Sequence, residues 1–304
     1  MTDEHATIDI PVDALHQSLF DWFDTHHRPF PWRTSDDPWA ILVLEVMSQQ
    51  TQLERVTQAW EAFIDRWPTP VDLAEESPAE VISFWSEHRL GYNRRASFLH
   101  DAATQLVEEF DGEVPPSVDD LERLKGVGPY TANAVASFAF DRGGPVVDTN
   151  VKRVLYRLLD IPDEDDAYAE ALASLTNEES ITSWNEAIME LGGIACTKQP
   201  ACDTAACPFR RWCHAYRTGD FTAPDVPTQP PYEGSRRQLR GRVLQLLDRE
   251  EIVHIDELGH RLRVDYTPEG THGRDWLHSL LEDMAVDGLI TLTEDSPAHV
   301  SLRR

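Results

Sequence analysis

The sequence contains few cysteines, few lysines and no long hydrophobic run. Only three of its 304 residues are lysine, and its first segment, MTDEHATIDIPVDALHQSLFDW, begins with acidic residues. That segment has neither the basic start and apolar core of a secretory signal nor an apolar stretch long enough to cross a bilayer. We therefore expect a cytoplasmic protein without a membrane partner. The length predicts about two domains.

Basic charge is also scarce. Asp and Glu number 54 against 27 Lys and Arg, which gives a formal net charge of −27. Such a balance argues against nucleic-acid binding. An acidic, lysine-poor surface is, however, typical of halophilic proteins, in which dissolved ions screen the self-repulsion. We interpret the negative charge as an adaptation to a salty habitat. Whether the protein binds nucleic acid must therefore be inferred from its motifs.

The four cysteines all fall within one segment, CTKQPACDTAACPFRRWC. They are Cys196, Cys202, Cys207 and Cys213. Four thiols this close in sequence favour an iron–sulfur cluster or a metal ion. Zinc sites usually contain a tight C-x2-C pair, which is absent here, so an iron–sulfur centre is the preferred prediction. Zinc, disulfides and inert thiols are the alternatives.

Helical periodicity dominates the chain before about residue 230. Apolar residues from Pro38 to Trp67 mainly keep helical spacing and predict one long core helix. Six further helices are predicted in SPAEVISFWSEH, RRASFLHDAATQLVEEF, SVDDLERL, YTANAVASFAF, NVKRVLYRLLD and SWNEAIMELGGIAC. Residues 218–231 are rich in proline and polar residues and predict a linker.

The residues after this linker predict a winged-helix pattern. SRRQLRGRVLQLLDREE, HIDELGHRLR and GRDWLHSLLEDMAVDG predict three helices, and LITLT and HVSLR predict a small hairpin. Four arginines on the first helix could contact phosphates or pair with the acids of residues 248–251, and the sequence favours neither. They are Arg236, Arg237, Arg240 and Arg242.

The segment LERLKGVGPYTANAVASFAF predicts two helices joined by a tight turn. The second helix begins near Pro129, which suits a first turn because its missing N–H costs little there. The glycines let the chain turn tightly and expose N–H groups beside a helix N-terminus, where a phosphate can bind. Such a turn more often only connects helices. Its residues are Lys125, Gly126, Val127 and Gly128.

Two carboxylates lie in contrasting settings. Asp148 directly precedes a predicted helix, where an aspartate caps the free N–H groups and is stabilised in its ionised form. Glu45 lies inside the apolar stretch ILVLEVM, where burial would favour a protonated carboxyl. Taken alone, Asp148 is simply a helix cap, and Glu45 could equally lie on the solvent side of its helix.

The motifs LKGVGPYTA and VVDTNVKRVLYRL, followed by the four-cysteine loop, resemble the helix-hairpin-helix DNA glycosylases that contain a 4Fe-4S cluster. The resemblance covers about Asp21 to Trp212. Within that superfamily, DPWAILVLEVMSQQTQLERV and MELGGIACT resemble the MutY-type adenine glycosylases. The family usually has the spacing C-x6-C-x2-C-x5-C, whereas this chain has C-x5-C-x4-C-x5-C. The middle cysteine pair therefore departs from the family pattern.

The resemblance implies a mainly α, two-lobed helix-hairpin-helix glycosylase fold with a 4Fe-4S cluster loop. The tail is too short for the family's usual C-terminal domain, which reads 8-oxoguanine, so a small winged-helix-like domain is predicted in its place. The predicted ranges are a six-helix domain over 35–146, a discontinuous cluster domain over 1–34 and 147–217, the linker, and the winged-helix-like domain over 232–304.

The resemblance also implies the chemistry. It predicts a monomeric enzyme of base excision repair that flips and hydrolytically removes adenine mispaired with 8-oxoguanine or guanine in double-stranded DNA. Glu45 matches the general acid that protonates the adenine ring, and Asp148 matches the carboxylate that stabilises the oxocarbenium ion. Tyr130 stands where the endonuclease III branch has a lysine that attacks the sugar. Tyrosine cannot form a Schiff base, so a monofunctional glycosylase is predicted.

Further residues match the family's DNA and base contacts. Gln50 matches the glutamine that wedges into the duplex, and the turn at residues 125–128 matches the DNA-binding hairpin. Tyr92 matches the aromatic residue that stacks beside the damaged guanine, although Asn93 replaces the second tyrosine usual there. The residues that match the adenine pocket are Arg28, Phe30, Trp32, Tyr130 and Glu190. Without the resemblance, Phe30 and Trp32 could be core aromatics.

Two alternative functions stay open. A thymine or uracil glycosylase of the same superfamily, acting at G:T/U mismatches, shares the tyrosine at position 130 and lacks a large C-terminal domain. The QQT and MELG segments favour adenine instead. An iron–sulfur redox-sensing DNA-binding regulator, which is a different class of protein, would explain the cysteines and the tail but not a buried Glu45.

Overall fold

Helices dominate the computed structural model, which describes residues 10–176, 181–225, 231–263, 265–293 and 299–303. The helices are α1 Val12–His26, α2 Pro38–Ser48, α3 Leu53–Arg66, α4 Pro70–Glu75, α5 Pro78–Glu87, α6 Arg94–Glu109, α7 Val118–Glu122, α8 Pro129–Phe140, α9 Thr149–Leu159, α10 Asp165–Leu175, α11 Ile181–Ile194, α12 His214–Thr218, α13 Arg236–Arg249, α14 Ile255–Leu262 and α15 Arg274–Val286. A 3-10 helix covers Pro31–Thr34, and the strands are β1 Val253–His254, β2 Ile290–Leu292 and β3 His299–Leu302. Within the described ranges, none of the helices has the length and apolar character needed to span a membrane.

The chain divides into two compact units. The first consists of Met1–Arg33, Pro116–Val118 and Ala132–Thr228, and the second of Thr34–Pro115, Asp119–Thr131 and Gln229–Arg304. The division falls inside α8, after Thr131. It groups residues 132–146 with the cysteine segment and the C-terminal tail with residues 34–115. The domain ranges given by the sequence stay a prediction.

The first unit has a core formed by α1, α9, α10 and α11. The apolar face predicted for α9 is buried, and Val151 and Leu155 have no exposed surface. Phe209 and Trp212 of the cysteine segment join the same core, so this segment is packed rather than peripheral. The acidic stretch around residue 165 forms α10, in which Tyr168 is buried.

The second unit is organised around α2. Every residue from Trp39 to Met47 is buried, as expected for a helix that is apolar on all sides. The Trp39 indole N–H donates to the carbonyl of Trp67 at 3.0 Å, and the Trp60 indole donates to that of Ala40 at 2.8 Å. These bonds fix α2 against α3.

The single long helix predicted over residues 38–67 is wrong. The chain breaks between α2 and α3, where Gln50 adopts a φ of 53°. Arg95 of α6 donates to the carbonyls of Val46 and Met47 at 2.8 and 3.2 Å. The last carbonyls of α2 therefore find a partner without helix continuation. The six shorter helices predicted from the sequence are all present.

The described part of the tail has the predicted winged-helix pattern of three helices and a hairpin. Strands β2 and β3 pair antiparallel, with Ile290 opposite Leu302, and β1 adds to the other edge of β3, with Val253 opposite Val300. The resulting order is β1-β3-β2. Leucines on α13, α14 and α15 form a core against this small sheet, among them Leu244, Leu258, Leu277, Leu280 and Leu281.

Candidate active site and cysteine site

Asp148 caps α9 with both of its carboxylate oxygens. Oδ1 accepts the backbone N–H groups of Asn150 and Val151 at 2.8 and 2.7 Å, and Oδ2 accepts the Asn150 side-chain amide at 2.7 Å. The side chain is half-buried. The cap predicted from the sequence is therefore present, and it holds an anionic group in one orientation at the positive end of the helix dipole.

A chain of hydrogen bonds connects this cap to the cysteine segment. Arg153 Nη2 donates to Asn150 Oδ1 at 2.8 Å and to the carbonyl of Gly192 at 2.9 Å. Its Nε donates to the carbonyl of Cys196 at 2.6 Å. Asn150 is therefore the only residue between Asp148 and Arg153 in this series of hydrogen bonds, and Arg153 bonds directly to the backbone of the first cysteine. Sequence analysis missed it, although Asn150 and Arg153 are three apart on a helix and share a face.

Gly192 explains how α9 and α11 approach each other at this point. A Cβ atom on Gly192 would lie 2.7 Å from the Cβ of Asn150 and 3.2 Å from that residue's backbone. Only glycine fits this distance without displacing one of the helices. The MELGG segment therefore has a structural reason for its first glycine, which the motif alone did not provide.

The residues predicted to line the adenine pocket in the first unit lie together. Glu190, with 3% of its side chain exposed, accepts hydrogen bonds from Arg28 at its backbone N, Nε and Nη2, over 2.7–3.0 Å. Arg33, which sequence analysis missed, donates a further bond to Glu190 at 2.8 Å. Burial opposes ionisation of Glu190, but the bonds and charge of Arg28, with the charge of Arg33, outweigh it and lower the pKa.

Phe30 and Trp32 form the aromatic part of this group. Their rings stack with centroids 4.6 Å apart at an angle of 13°. The Arg28 guanidinium lies 4.8 Å from the Phe30 ring centroid. Both aromatic side chains are partly exposed. The interpretation of Phe30 and Trp32 as core residues is therefore wrong.

Glu45 lies in α2 with only 6% of its surface exposed. It is placed in the last turn of the helix, between the buried residues Leu44 and Val46. The alternative that Glu45 lies on the solvent side of its helix is wrong.

Two loops of the second unit present Gln50 and Tyr92. Both residues have left-handed backbones, with φ of 53° and 46°. Arg95 is 8% exposed and joins the two loops, donating to Thr51 Oγ1 and to the carbonyl of Leu90, each at 3.1 Å. Burial lowers the pKa of Arg95 to about 10. Sequence analysis missed this residue because its partners are all distant in sequence or on the backbone.

The turn between α7 and α8 also belongs to the second unit. Gly126 has a φ of 79°, and a Cβ there would lie 2.7 Å from the Phe98 side chain, so this position requires glycine. A Cβ on Gly128 would meet nothing within 4 Å. Lys125 is exposed, and Tyr130 is 37% exposed in the first turn of α8. Val127 is buried and anchors the turn.

All four cysteines line one cavity in the first unit. They are free thiols, and the other lining residues are mostly apolar: Val154, Arg157, Leu158, Pro200, Phe209 and Phe221. Among the described residues, no group of three or more His, Cys, Asp or Glu side chains is placed so that it could hold a metal ion. Burial raises the pKa of Cys202 and Cys213, and that of Cys207 to about 12. The cavity therefore favours the neutral thiols, and four thiolates would need a cation bound among them.

Arg157 lines this cavity. It is 3% exposed, and its Nη1 lies 3.5 Å from Cys196 Sγ and 2.7 Å from the carbonyl of Thr197. Its Nη2 donates to the carbonyl of Phe221 at 2.8 Å, and its Nε donates to that of Thr222 at 3.2 Å. The first part of the predicted linker is therefore bound to the cysteine site.

Comparisons with known proteins agree with this architecture. Residues 43–178 match the family described as HhH-GPD superfamily base excision DNA repair protein. An adenine DNA glycosylase from Mycobacterium tuberculosis is 39% identical over 296 residues, covering 94% of this chain and 93% of the relative. A solved thermostable thymine-DNA glycosylase has a TM-score of 0.60 and 25% identity, covering 68% of this chain and 97% of its own.

A solved non-covalent endonuclease III–DNA complex gives a TM-score of 0.58 at 25% identity, covering 68% of this chain and 96% of that protein. The predicted superfamily and the mainly helical fold are thereby confirmed. The chain belongs to the HhH-GPD superfamily of base excision repair proteins and, within it, to the adenine DNA glycosylases.

Proposed function

We propose that the protein is a monofunctional glycosylase that removes adenine mispaired with 8-oxoguanine or guanine in double-stranded DNA. The observation that carries the proposal is the fixed carboxylate of Asp148, with both oxygens held at the N-terminus of α9. Membership of the adenine DNA glycosylases supports the choice of base. A monomeric state and a cytoplasmic location stay predictions.

Two carboxyl groups perform the chemistry. Cleavage of the glycosidic bond leaves its electron pair on the adenine, so a protonated Glu45 assists departure by donating a proton to a ring nitrogen. Its burial in α2 supports this role. The sugar left behind is an oxocarbenium ion, which the Asp148 carboxylate stabilises until water adds. Tyr130 offers no amine, so no Schiff base forms at this position.

The adenine pocket is assigned to Arg28, Phe30, Trp32, Tyr130 and Glu190. Both Glu190 oxygens already accept two arginine donors each, which uses the four lone-pair sites of a carboxylate. A hydrogen bond from the base to Glu190 therefore replaces one of these donors. We assign Glu190 a second role, which is to hold Arg28 against the ring of Phe30.

DNA binding is assigned to residues of the second unit. The N–H groups beside Gly126 and Gly128 are suited to a phosphate, and the open space at Gly128 and the exposed Lys125 support this. Gln50 fills the gap left by the flipped base, and Tyr92 stacks on the base opposite the adenine. Their left-handed backbones are consistent with residues held for function rather than for local stability.

The cofactor is assigned as a 4Fe-4S cluster held by Cys196, Cys202, Cys207 and Cys213. When bound, the cluster would offset part of the charge of the four thiolates that hold it and would fix the shape of the segment that carries them. The excision chemistry requires no electron transfer, so its role is structural. Purified protein should contain about four irons per chain and absorb broadly in the visible region. Colourless protein with one zinc ion would overturn the assignment.

A panel of mismatched duplexes tests the function. In high salt, the protein should leave alkali-sensitive sites on the adenine strand of A:8-oxoG and A:G duplexes and leave A:T intact. The likeness to a thymine-DNA glycosylase makes thymine the second candidate, and cleavage confined to G:T would establish it instead. Binding to one DNA sequence without any base release would favour the regulator.

A further inference from the structure

The C-terminal module, described over residues 231–263, 265–293 and 299–303, contacts the rest of the second unit through several side chains. Ser83 of α5 is hydrogen-bonded to Asp248 of α13. Ser97 Oγ of α6 donates to the carbonyl of Gly288 at 3.0 Å. The module therefore packs on α5 and α6, directly beside the loop that carries Tyr92.

Two of the five arginines on α13 form ion pairs inside the protein. Arg236 pairs with Asp283 at 2.6 Å, and Arg240 pairs with Asp287, which also binds Arg94 of α6 at 3.2 Å. These partners differ from the acids of residues 248–251 that the sequence suggested. Arg236 and Arg240 thus hold the module together and attach it to α6. Their guanidinium groups are already paired with carboxylates, which argues against a role in binding DNA phosphates.

Arg237 is different, because its partner is a predicted site residue. Its Nη1 donates to the Tyr92 hydroxyl at 3.0 Å, and its guanidinium carbon lies 5.7 Å from the Tyr92 ring centroid. The ring of Tyr232, in the same module, lies 5.2 Å from that guanidinium. Arg95 faces the Tyr92 ring at 5.4 Å. Two arginines, one from α6 and one from the module, therefore hold a single phenol ring.

We propose that the C-terminal module takes part in recognising the base opposite the adenine and that it acts through Arg237, which is a positioning residue for Tyr92. The inference rests on the proposed function, in which Tyr92 stacks on that base. A ring held before binding loses less conformational freedom when the base arrives. Guanine and 8-oxoguanine differ only at one edge of the base, so telling them apart requires a base stacked in one position.

The test measures single-turnover excision of adenine from A:8-oxoG and A:G duplexes, using the full chain. Arg237→Ala should reduce the ratio of the two rates at least about fivefold, because a loosely held ring no longer fixes the opposite base. Tyr92→Phe keeps the ring and removes the hydroxyl that accepts the bond, so it should give the same loss. The double variant should lose no more than either single variant.

Arg236→Ala is the matched control. It removes a neighbouring arginine of α13 whose partners are Asp283 and Ser279, so it should leave the ratio unchanged. A purely structural role for Arg237 would lower the melting temperature and slow both reactions equally. If Arg237→Ala kept the wild-type ratio of the two rates, the inference would be overturned while the proposed function would stand. The same would follow if the wild type released adenine from both duplexes at equal rates. A wild type that releases adenine from neither duplex would overturn the proposed function itself.

Discussion

At the scale of single residues, the side chain of Arg153 connects the cap of α9 to the cysteine segment. Arg153→Ala should leave the carbonyls of Gly192 and Cys196 without this donor and should lower the free energy of unfolding by about 2–4 kcal/mol. It should also reduce the iron content and slow adenine release, since Asn150 loses its support against Asp148. Thermal melting, iron analysis and single-turnover kinetics measure these three effects.

Lys152→Ala is the control for Arg153→Ala. Lys152 lies next to Arg153 on α9, and its partner is Asp165, whose side chain is 90% exposed. All three measurements should therefore match the wild type. If Arg153→Ala behaved like this control, the hydrogen-bond chain to Cys196 would have no functional weight.

Glu190 gives a prediction on pH. Its pKa is lower in the folded chain than the ordinary value of a glutamate, so its ionised form contributes stability that is complete above the unfolded pKa. That contribution is lost as the pH falls through the folded pKa. Denaturant unfolding between about pH 3 and pH 6 should show a steeper loss in wild type than in Glu190→Gln. If the free energy of unfolding fell equally with pH in both proteins, the claim that the arginines stabilise an ionised Glu190 would be contradicted.

At the scale of elements, the break between α2 and α3 depends on Arg95. Arg95→Met should remove the donor to the carbonyls of Val46, Met47 and Leu90 and should destabilise the protein by about 2–4 kcal/mol. Adenine release should fall as well, because Gln50 and Tyr92 lose their common support. Chemical denaturation together with single-turnover kinetics measures both effects.

Arg94→Ala is the comparison for Arg95→Met. The adjacent Arg94 is 56% exposed and pairs with Asp287, so its loss should cost about 1 kcal/mol or less. Equal losses of stability in the two variants would mean that the buried position of Arg95 has no special role.

Three features of the helices show what the sequence could and could not predict. The start of α8 was predictable because Gly and Pro mark it locally, and the face of α9 followed from its spacing. The break after Ser48 was not predictable, because it is stabilised by Arg95 from a helix that follows much later in the chain. Local patterns place helices, whereas distant partners decide where some of them end.

The candidate site divides in a similar way. Some site residues were predictable because each has a local signal. Asp148 stands at a helix cap position, Glu45 lies within an apolar run, and the four cysteines fall close together in one segment. Arg33, Arg153 and Arg157 were missed, since a lone arginine has no local signal that separates a buried donor from an exposed charge. Their importance comes from carbonyls and carboxylates that only the fold brings to them.

At the scale of the whole molecule, the net charge of −27 leads to a prediction about salt. Raising KCl from about 0.1 M to about 2 M should increase the melting temperature, because the ions screen repulsion among the acids. An uncharged cosolute at equal osmolality should have a smaller effect. A melting temperature that is independent of KCl would show that the acidic surface is not an adaptation to salt.

The central claim is that Asp148 stabilises the cation left when adenine departs. Free adenine released from an A:8-oxoG duplex in a single turnover, quantified by chromatography, tests it most directly. Asp148→Asn should release adenine at least about a thousandfold more slowly than wild type. Asp37→Asn, which alters the cap of α2, should stay near wild type. Adenine release by Asp148→Asn at the wild-type rate would contradict the account.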